Sequence, residues 1–347
     1  MSMDAEALPR RSRKGLYIPI TLFGLVCAGW GGFWFFARSQ TMSIMDAWIA
    51  REARLGRVWT CPDRAVGGFP FRIELSCIKP TFASSEPARA GSGSLGGLAV
   101  TARAVDPRQV IAVFASPLVW QSPAGETVEI AFENGRAAYR GTPSAMELLS
   151  LEFARPSLTV ANTSGRQTIT SDRTEFHLRR APGADPATDV ALISNGIRSE
   201  AFDVLTGDTT PGVIDFRTQV TRYAPAPIRD WRETLENWRR ADGEAKIEKL
   251  SLTKGALALN LSGVLRLDEL RRPEGEISGT AQGINALMRA FGIDMGGGAG
   301  GLLGALLGGG RPNNALARAL PFSLRFDQGR MYIGPVPGPR LRPLYGP

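Results

Sequence analysis

Past residue 65 the chain alternates. Phe69, Phe71, Ile73 and Leu75 are separated by Pro70, Arg72, Glu74 and Ser76, which predicts a strand with one apolar face. The same period of two returns at 98–105, 110–119, 128–132, 148–153, 158–161, 168–179, 190–197 and 212–222. It resumes at 245–253, 256–268, 275–283, 321–326 and 330–334. Asn134-Gly135 predicts a hairpin turn, and Asp327-Gln328-Gly329 predicts another. The stretch 81–97, rich in Ser, Ala, Pro and Gly, is expected to be a loop or a frayed edge.

Several stretches break that period. Gly15 to Phe36 carries no charge over 22 residues. At a rise of about 1.5 Å per residue it is long enough to cross a hydrocarbon core of roughly 30 Å. Residues 39–57 predict an amphipathic helix, with Ile44, Met45, Trp48, Ile49 and Leu55 at helical spacing, either lying on the bilayer or, as the simpler reading, packing on the folded domain. Residues 228–240 predict another, with Ile228, Trp231, Leu235 and Trp238 on one stripe and Arg–Glu pairs four apart on the wetter side. Its tryptophans are expected to cover an open sheet or groove. A short helix is expected at 284–291, followed by a glycine-rich run to 310. Residues 335–347 form a proline-rich tail with no core of its own.

The sum is a mainly β (α+β) protein: a large antiparallel sheet with a few packed helices, preceded by one N-terminal transmembrane helix. No β-α-β alternation supports a doubly wound fold. The expected organisation is a cytoplasmic tail (1–14), a span (15–36), an amphipathic helix (39–57), a mainly β domain (58–334, loosely 58–224 and 225–334) and a tail (335–347).

Charge orients the span. Arg10, Arg11, Arg13 and Lys14 precede it and only Arg38 follows closely, so the short head is expected in the cytoplasm and the domain in the periplasm. A cleaved signal peptide is the competing reading, but the run is long for an h-region and no A-x-A site follows it. The net charge of +8 is spread along the chain without a basic stripe interleaved by aromatics, so no nucleic-acid partner is expected. Anionic lipid headgroups are the more economical partner for it. Of three cysteines, Cys27 lies in the span, while Cys61 and Cys77 flank a natural turn at Gly67-Gly68. In an oxidising compartment these two form the available pair, with an expected stabilisation of about 3 kcal/mol.

Catalytic chemistry is sparse. His177 is the single histidine and sits on a strand face opposite Phe176 and Leu178; no G-x-S-x-G elbow accompanies it. Multi-histidine metal sites are excluded and no C-x-x-C occurs. The glycine-rich run lacks the G-K-[ST] ending of a phosphate loop. Its Leu302, Leu303, Leu306 and Leu307 make it an apolar surface loop or, in the sharper reading, a flap touching the membrane. No cofactor, catalytic or metal-binding residue is implied.

The span, Trp48 and the segment Cys61…Gly67-Gly68-Phe69-Pro70-Phe71-Arg72…Cys77 resemble the DUF2125 family of bacterial envelope proteins. Residues 257–268, Pro273-Glu274-Gly275 and 324–335 are similar to strand-turn units of AsmA-like envelope proteins. That resemblance implies a curved sheet with an apolar inner surface and a role in envelope or lipid handling, and it carries no catalytic residues. The expected function is therefore to bind or guide a lipid along an apolar groove. The expected groove residues are Leu257, Leu259, Leu261, Leu265 and Leu267 with Trp231 and Trp238. The alternative is a scaffold that docks another envelope protein, and an enzyme comes third.

Overall fold

The computed structural model describes residues 14–86, 90–142, 145–225, 230–284 and 319–346. The chain opens with one continuous helix, α1 (Lys14–Arg54). The span and the amphipathic helix expected separately are thus a single element, because Ala37-Arg38-Ser39-Gln40 contains no breaker between them. It stops at Leu55-Gly56, whose amides turn back to the carbonyls of Glu52 and Ala53.

Twenty strands follow among the described residues, all in one antiparallel sheet. They are β1 (Arg57–Thr60), β2 (Ala65–Gly67), β3 (Arg72–Ile78), β4 (Thr81–Ser84), β5 (Gly91–Arg103), β6 (Gln109–Gln121) and β7 (Thr127–Ala131). Next come β8 (Asn134–Thr142), β9 (Ala145–Ala154), β10 (Ser157–Asn162), β11 (Gly165–Thr170), β12 (Arg173–Arg180) and β13 (Ala187–Ser199). After helix α2 (Glu200–Thr206) comes β14 (Gly212–Thr221), and after helix α3 (Trp231–Arg240) come β15 (Ala245–Lys254), β16 (Leu257–Leu267) and β17 (Pro273–Gln282). The sheet ends with β18 (Leu320–Asp327), β19 (Arg330–Ile333) and β20 (Val336–Arg340). β14 pairs with β15 across the α3 connection, so the sheet passes without a seam from the first half to the second.

The first half is a meander of long strands, each interrupted at the same level. β3 and β4 both pair with β5; β7 and β8 both pair with β6; β9 and β10 lie beside β8 and β7. β11 and β12 then share β13. The interruptions fall at Lys79-Pro80, Gly96, Ser116-Pro117, Phe132-Glu133, Arg155-Pro156, Ser171-Asp172 and Gly196. Three contain proline, which donates no ladder hydrogen bond. Bonds such as Leu95 N–H to Pro80 O (3.0 Å) and Asp172 N–H to Asn195 O (2.8 Å) stitch the line together. Bulges bend strands and increase their twist, so this line curves the sheet.

Three local expectations change. Within 81–97, residues 81–84 form β4 and residues 91–97 form the first part of β5. Its glycines serve packing: Trp59, Phe82, Gly93 and Trp120 are register partners, and Phe82 stacks on Trp120 at 5.6 Å across the space that Gly93 leaves. Asn134-Gly135 does not turn a hairpin; it opens β8, the continuation of β7 along the same neighbour. Phe69 and Phe71 lie outside β3, in the turn that precedes it.

The two later helices are short. α2 ends on Gly207 at φ 68° and is held from beneath by Lys254, whose side chain is fully buried. Its ammonium donates to Asp203 Oδ1 at 2.5 Å and to Thr210 O at 2.8 Å, beside the Phe202 ring. α3 begins at Trp231, capped by the Asp230 side chain on Arg232 N–H at 2.8 Å. Ile228, and the helix expected over 284–291 apart from Ile284, lie outside the described residues, as do Leu302, Leu303, Leu306 and Leu307. The proline-rich tail is not loose: β20 pairs with β19, and Tyr345 is buried against α3. The Tyr345 hydroxyl donates to Glu236 (2.9 Å), which also accepts from Arg239, Arg240 and Arg271.

Asp203→Ala leaves the Lys254 charge buried and uncompensated, and denaturant unfolding should show a loss of about 3–5 kcal/mol. The double variant Asp203→Leu with Lys254→Met should recover most of it.

Glu236 titrates well below its ordinary value, held down first by its Arg239 hydrogen bond and then by Tyr345 and Arg240, against burial. A depressed carboxylate stabilises the fold above its unfolded value of about 4.5 and loses that contribution as pH falls below it. Hydrogen exchange at 341–346, corrected for chemical exchange rate, should therefore accelerate below about pH 4.5. Glu236→Gln should already exchange fast at pH 7.

Candidate functional site

Direct register partners in an antiparallel pair share one face. One row of partners runs Leu75, Val100, Ala112, Ala137, Leu151, Phe176, Leu192, Phe216, Leu250, Leu261, Gly279, Phe322. A parallel row runs Cys77, Leu98, Phe114, Gly135, Phe153, Thr174, Ser194, Ile214, Leu252, Leu259, Ala281, Leu320. The inner face is thus apolar from β3 to β18. Its polar members satisfy one another or the backbone. Thr174 hydroxyl lies 2.8 Å from those of Ser171 and Ser194, and Thr218 donates to Lys246 O. The opposite face carries ion pairs such as Arg179–Asp189 and Lys249–Asp215.

Along this face the packing differs from place to place. At the β16–β18 end it is filled: Leu257, Ala281, Ile284 and Ile333 form one buried cluster, and Ile247, Leu261 and Ile277 another. In the middle, Phe176, Leu178 and Phe216 are half-buried, and Leu192 is 37% exposed. At the β3–β9 end the face is roofed by the far end of α1 and encloses a cavity of about 550 Å³. Met45, Trp48 and Ile49 of the helix face Leu75, Leu98, Val100, Phe114, Leu118, Leu151 and Phe153 of the sheet. The Cys61–Cys77 disulfide and Phe132 complete the wall. An aromatic chain, Trp48–Trp59–Phe82–Trp120, with centroids 5.4–5.6 Å apart, ties the helix to the sheet beside the cavity. The volume lies within the usual range of ligand sites, about 300–1,000 Å³, and the lining has no charge.

The expected site residues divide accordingly. Cys61 and Cys77 are joined, with Cα atoms 5.7 Å apart. Leu257, Leu259, Leu261 and Leu265 share the inner face with the cavity but sit in or against the filled clusters. Leu267 lies elsewhere, with Arg239, Arg266 and Arg272 around an open, charged depression of about 840 Å³. Those arginines are paired with Glu236, Glu274 and Asp268, so the depression offers no free cationic site. Trp231 and Trp238 do not join the leucines: Trp231 packs edge-on to Tyr345, and Trp238 donates to Thr221 O at the strand ends. What the chain pattern did not yield was the wall of the cavity, above all Phe114, Phe132 and Phe153. The only signal for it was the Met45–Trp48–Ile49 stripe.

His177 makes a polar constellation on the outer face. Ser150 Oγ lies 2.7 Å from its Nδ1, and Glu175 Oε2 lies 3.2 Å from its Nε2. The three stand on paired strands, β9 and β12, away from the cavity and the charged depression, and Arg173 also pairs with Glu175. A catalytic serine needs donors for an oxyanion, and the amides of these strands belong to the ladder. Among the described residues no cluster of His, Cys, Asp and Glu has the makings of a metal site.

A family model for DUF2125, described as an uncharacterized protein conserved in bacteria, matches residues 34–339. No curated protein and no solved structure matches the chain.

Gly135 makes room for the aromatic rings of the cavity wall. A Cβ there would stand 2.7 Å from the Phe132 ring and 3.1 Å from Phe153. Gly135→Val should cost about 1–3 kcal/mol through overpacking, read by thermal unfolding. Gly67→Ala, with open space around it, should be near neutral.

Proposed function

The chain belongs to the DUF2125 family, and from that membership and the geometry of the inner face we propose that it is a lipid-binding protein of the bacterial envelope. In this reading α1 anchors it to the inner membrane, the sheet stands in the periplasm, and an acyl chain lies along the apolar face. The observation that carries the reading is the continuity of that face. It runs from a roofed cavity at the anchor, through a partly open middle, to packed clusters at the far end. Burying each methylene there is favourable by about 0.8 kcal/mol, so an acyl chain needs no charged partner to be held. The helix supplies the anchor: between Tyr17 and Phe36 only Trp34 is buried and Trp30 and Gly31 are half-buried, while the other residues are exposed.

The alternative is a scaffold that docks a protein partner, and one mode of docking, strand addition at a sheet edge, finds less support. The β20 edge carries Pro337 and Pro339, and α1 packs beside the β1 and β2 edge.

The full chain, purified in mild detergent, should retain phospholipid detectable by native mass spectrometry. Phe176→Asp, in the partly open middle, should reduce it several-fold while the fold survives. Leu261→Asp, at a 4% exposed position, should instead cost several kcal/mol of stability. Equal lipid retention by wild type and Phe176→Asp would remove the support for the reading.

A further inference from the structure

The turn between β2 and β3 carries Gly68-Phe69-Pro70-Phe71, without a charge until Arg72. It does not stand clear of α1. Trp34 packs edge-on against Phe69 with centroids 5.4 Å apart, and Trp30 lies 5.9 Å from Phe71. The Trp30 indole N–H donates to Pro70 O (2.9 Å) and the Trp34 indole N–H to Arg72 O (2.8 Å). Arg38 Nε donates to Val66 O at 3.1 Å, fixing the base of the hairpin. Trp34 is 4% exposed, inside a run where its neighbours face outward.

These contacts set the depth of the turn. Trp30 precedes the end of the charge-free run at Phe36 by six residues, about 9 Å of helix. With the run spanning a core of roughly 30 Å, the turn lies below the level at which the span ends. There Phe69 is 58% and Phe71 69% exposed, an arrangement unfavourable in water and favourable in acyl chains. The backbone is prepared for such a medium. Lipid offers no partner for a bare carbonyl. Pro70 has no amide hydrogen, its carbonyl and that of Arg72 accept the two indoles, Phe71 O accepts Ala104 N–H, and Gly68 O accepts Arg72 N–H. We propose that this turn is a membrane-embedded finger, seated in the leaflet on the sheet side of the span. The partner it fits is the lipid bilayer itself. β3 leads from the finger to Leu75 and Cys77 in the cavity wall, so the finger also joins leaflet and cavity by one strand. The finger rests on α1 being the span and is independent of what the cavity holds.

The test uses the full chain in bacterial membranes with the photo-crosslinker benzoylphenylalanine in place of Phe71 or Phe69. Both sites are exposed and the replacement is aromatic, so folding is not at stake. The control position is Val204, 79% exposed on α2. After irradiation, mass spectrometry should find phospholipid adducts at Phe71 and Phe69 several-fold above Val204. The same adducts should persist when Phe176→Asp is added, which separates the finger from lipid held on the inner face. No lipid adduct at Phe71, an adduct with protein alone, or equal yields at Phe71 and Val204 would each overturn the proposal.

Discussion

In a sheet whose side chains alternate with a period of two, a slip of one residue turns a whole strand inside out. Here that constraint is carried through a single meander from β3 to β18, and every apolar row depends on it. The interruptions at Pro80, Gly96, Pro117, Pro156 and Gly196 are compatible with it because they fall opposite one another. Each strand loses step at the same level as its neighbour and regains it on the other side. A bulge at one strand alone would break the rows; a line of them bends the sheet and keeps the rows intact.

The bend creates a concave apolar surface that a single sheet cannot cover. The chain solves this differently along its length. At the far end small and branched side chains fill the space, helped by Phe202 of α2, which the buried Lys254–Asp203 pair holds in place. At the near end the roof is the continuation of the long apolar helix. Using one helix for both places the cavity just past the stretch that is long and apolar enough to cross a membrane, and the aromatic chain from Trp48 to Trp120 holds it there. The two indole hydrogen bonds to the β2–β3 turn fasten the same face of α1 further back along the helix. Between the two ends the face stays partly open, which is the feature that distinguishes this surface from a closed core.

Charge plays a local part. Glu236 gathers Arg239, Arg240, Arg271 and Tyr345 where α3, the β16–β17 turn and the tail meet. Other arginines are paired in the same way, as at Arg266–Glu274 and Arg272–Asp268.

Much was legible in the residues because period and hydrophobic run length are local properties. The alternation of Leu257 to Leu267 and the charge-free run to Phe36 announce an antiparallel sheet and a helix long enough to span a bilayer. Cys61 and Cys77 announce their own pairing. Other features depend on partners distant in the chain. Gly93 and Gly135 read as loop and turn signals, yet each sits within a strand because an aromatic ring from another strand needs the space. Leu257 and Phe114 look alike as strand residues, and only the cover above them decides that one is packed and the other lines a cavity. Trp231 and Trp238 show a helical stripe, but which end of the sheet that stripe meets is fixed by Tyr345 and Thr221. Periodicity tells each side chain which way to face; what it faces is set by the path of the whole chain, and that only the tertiary structure decides.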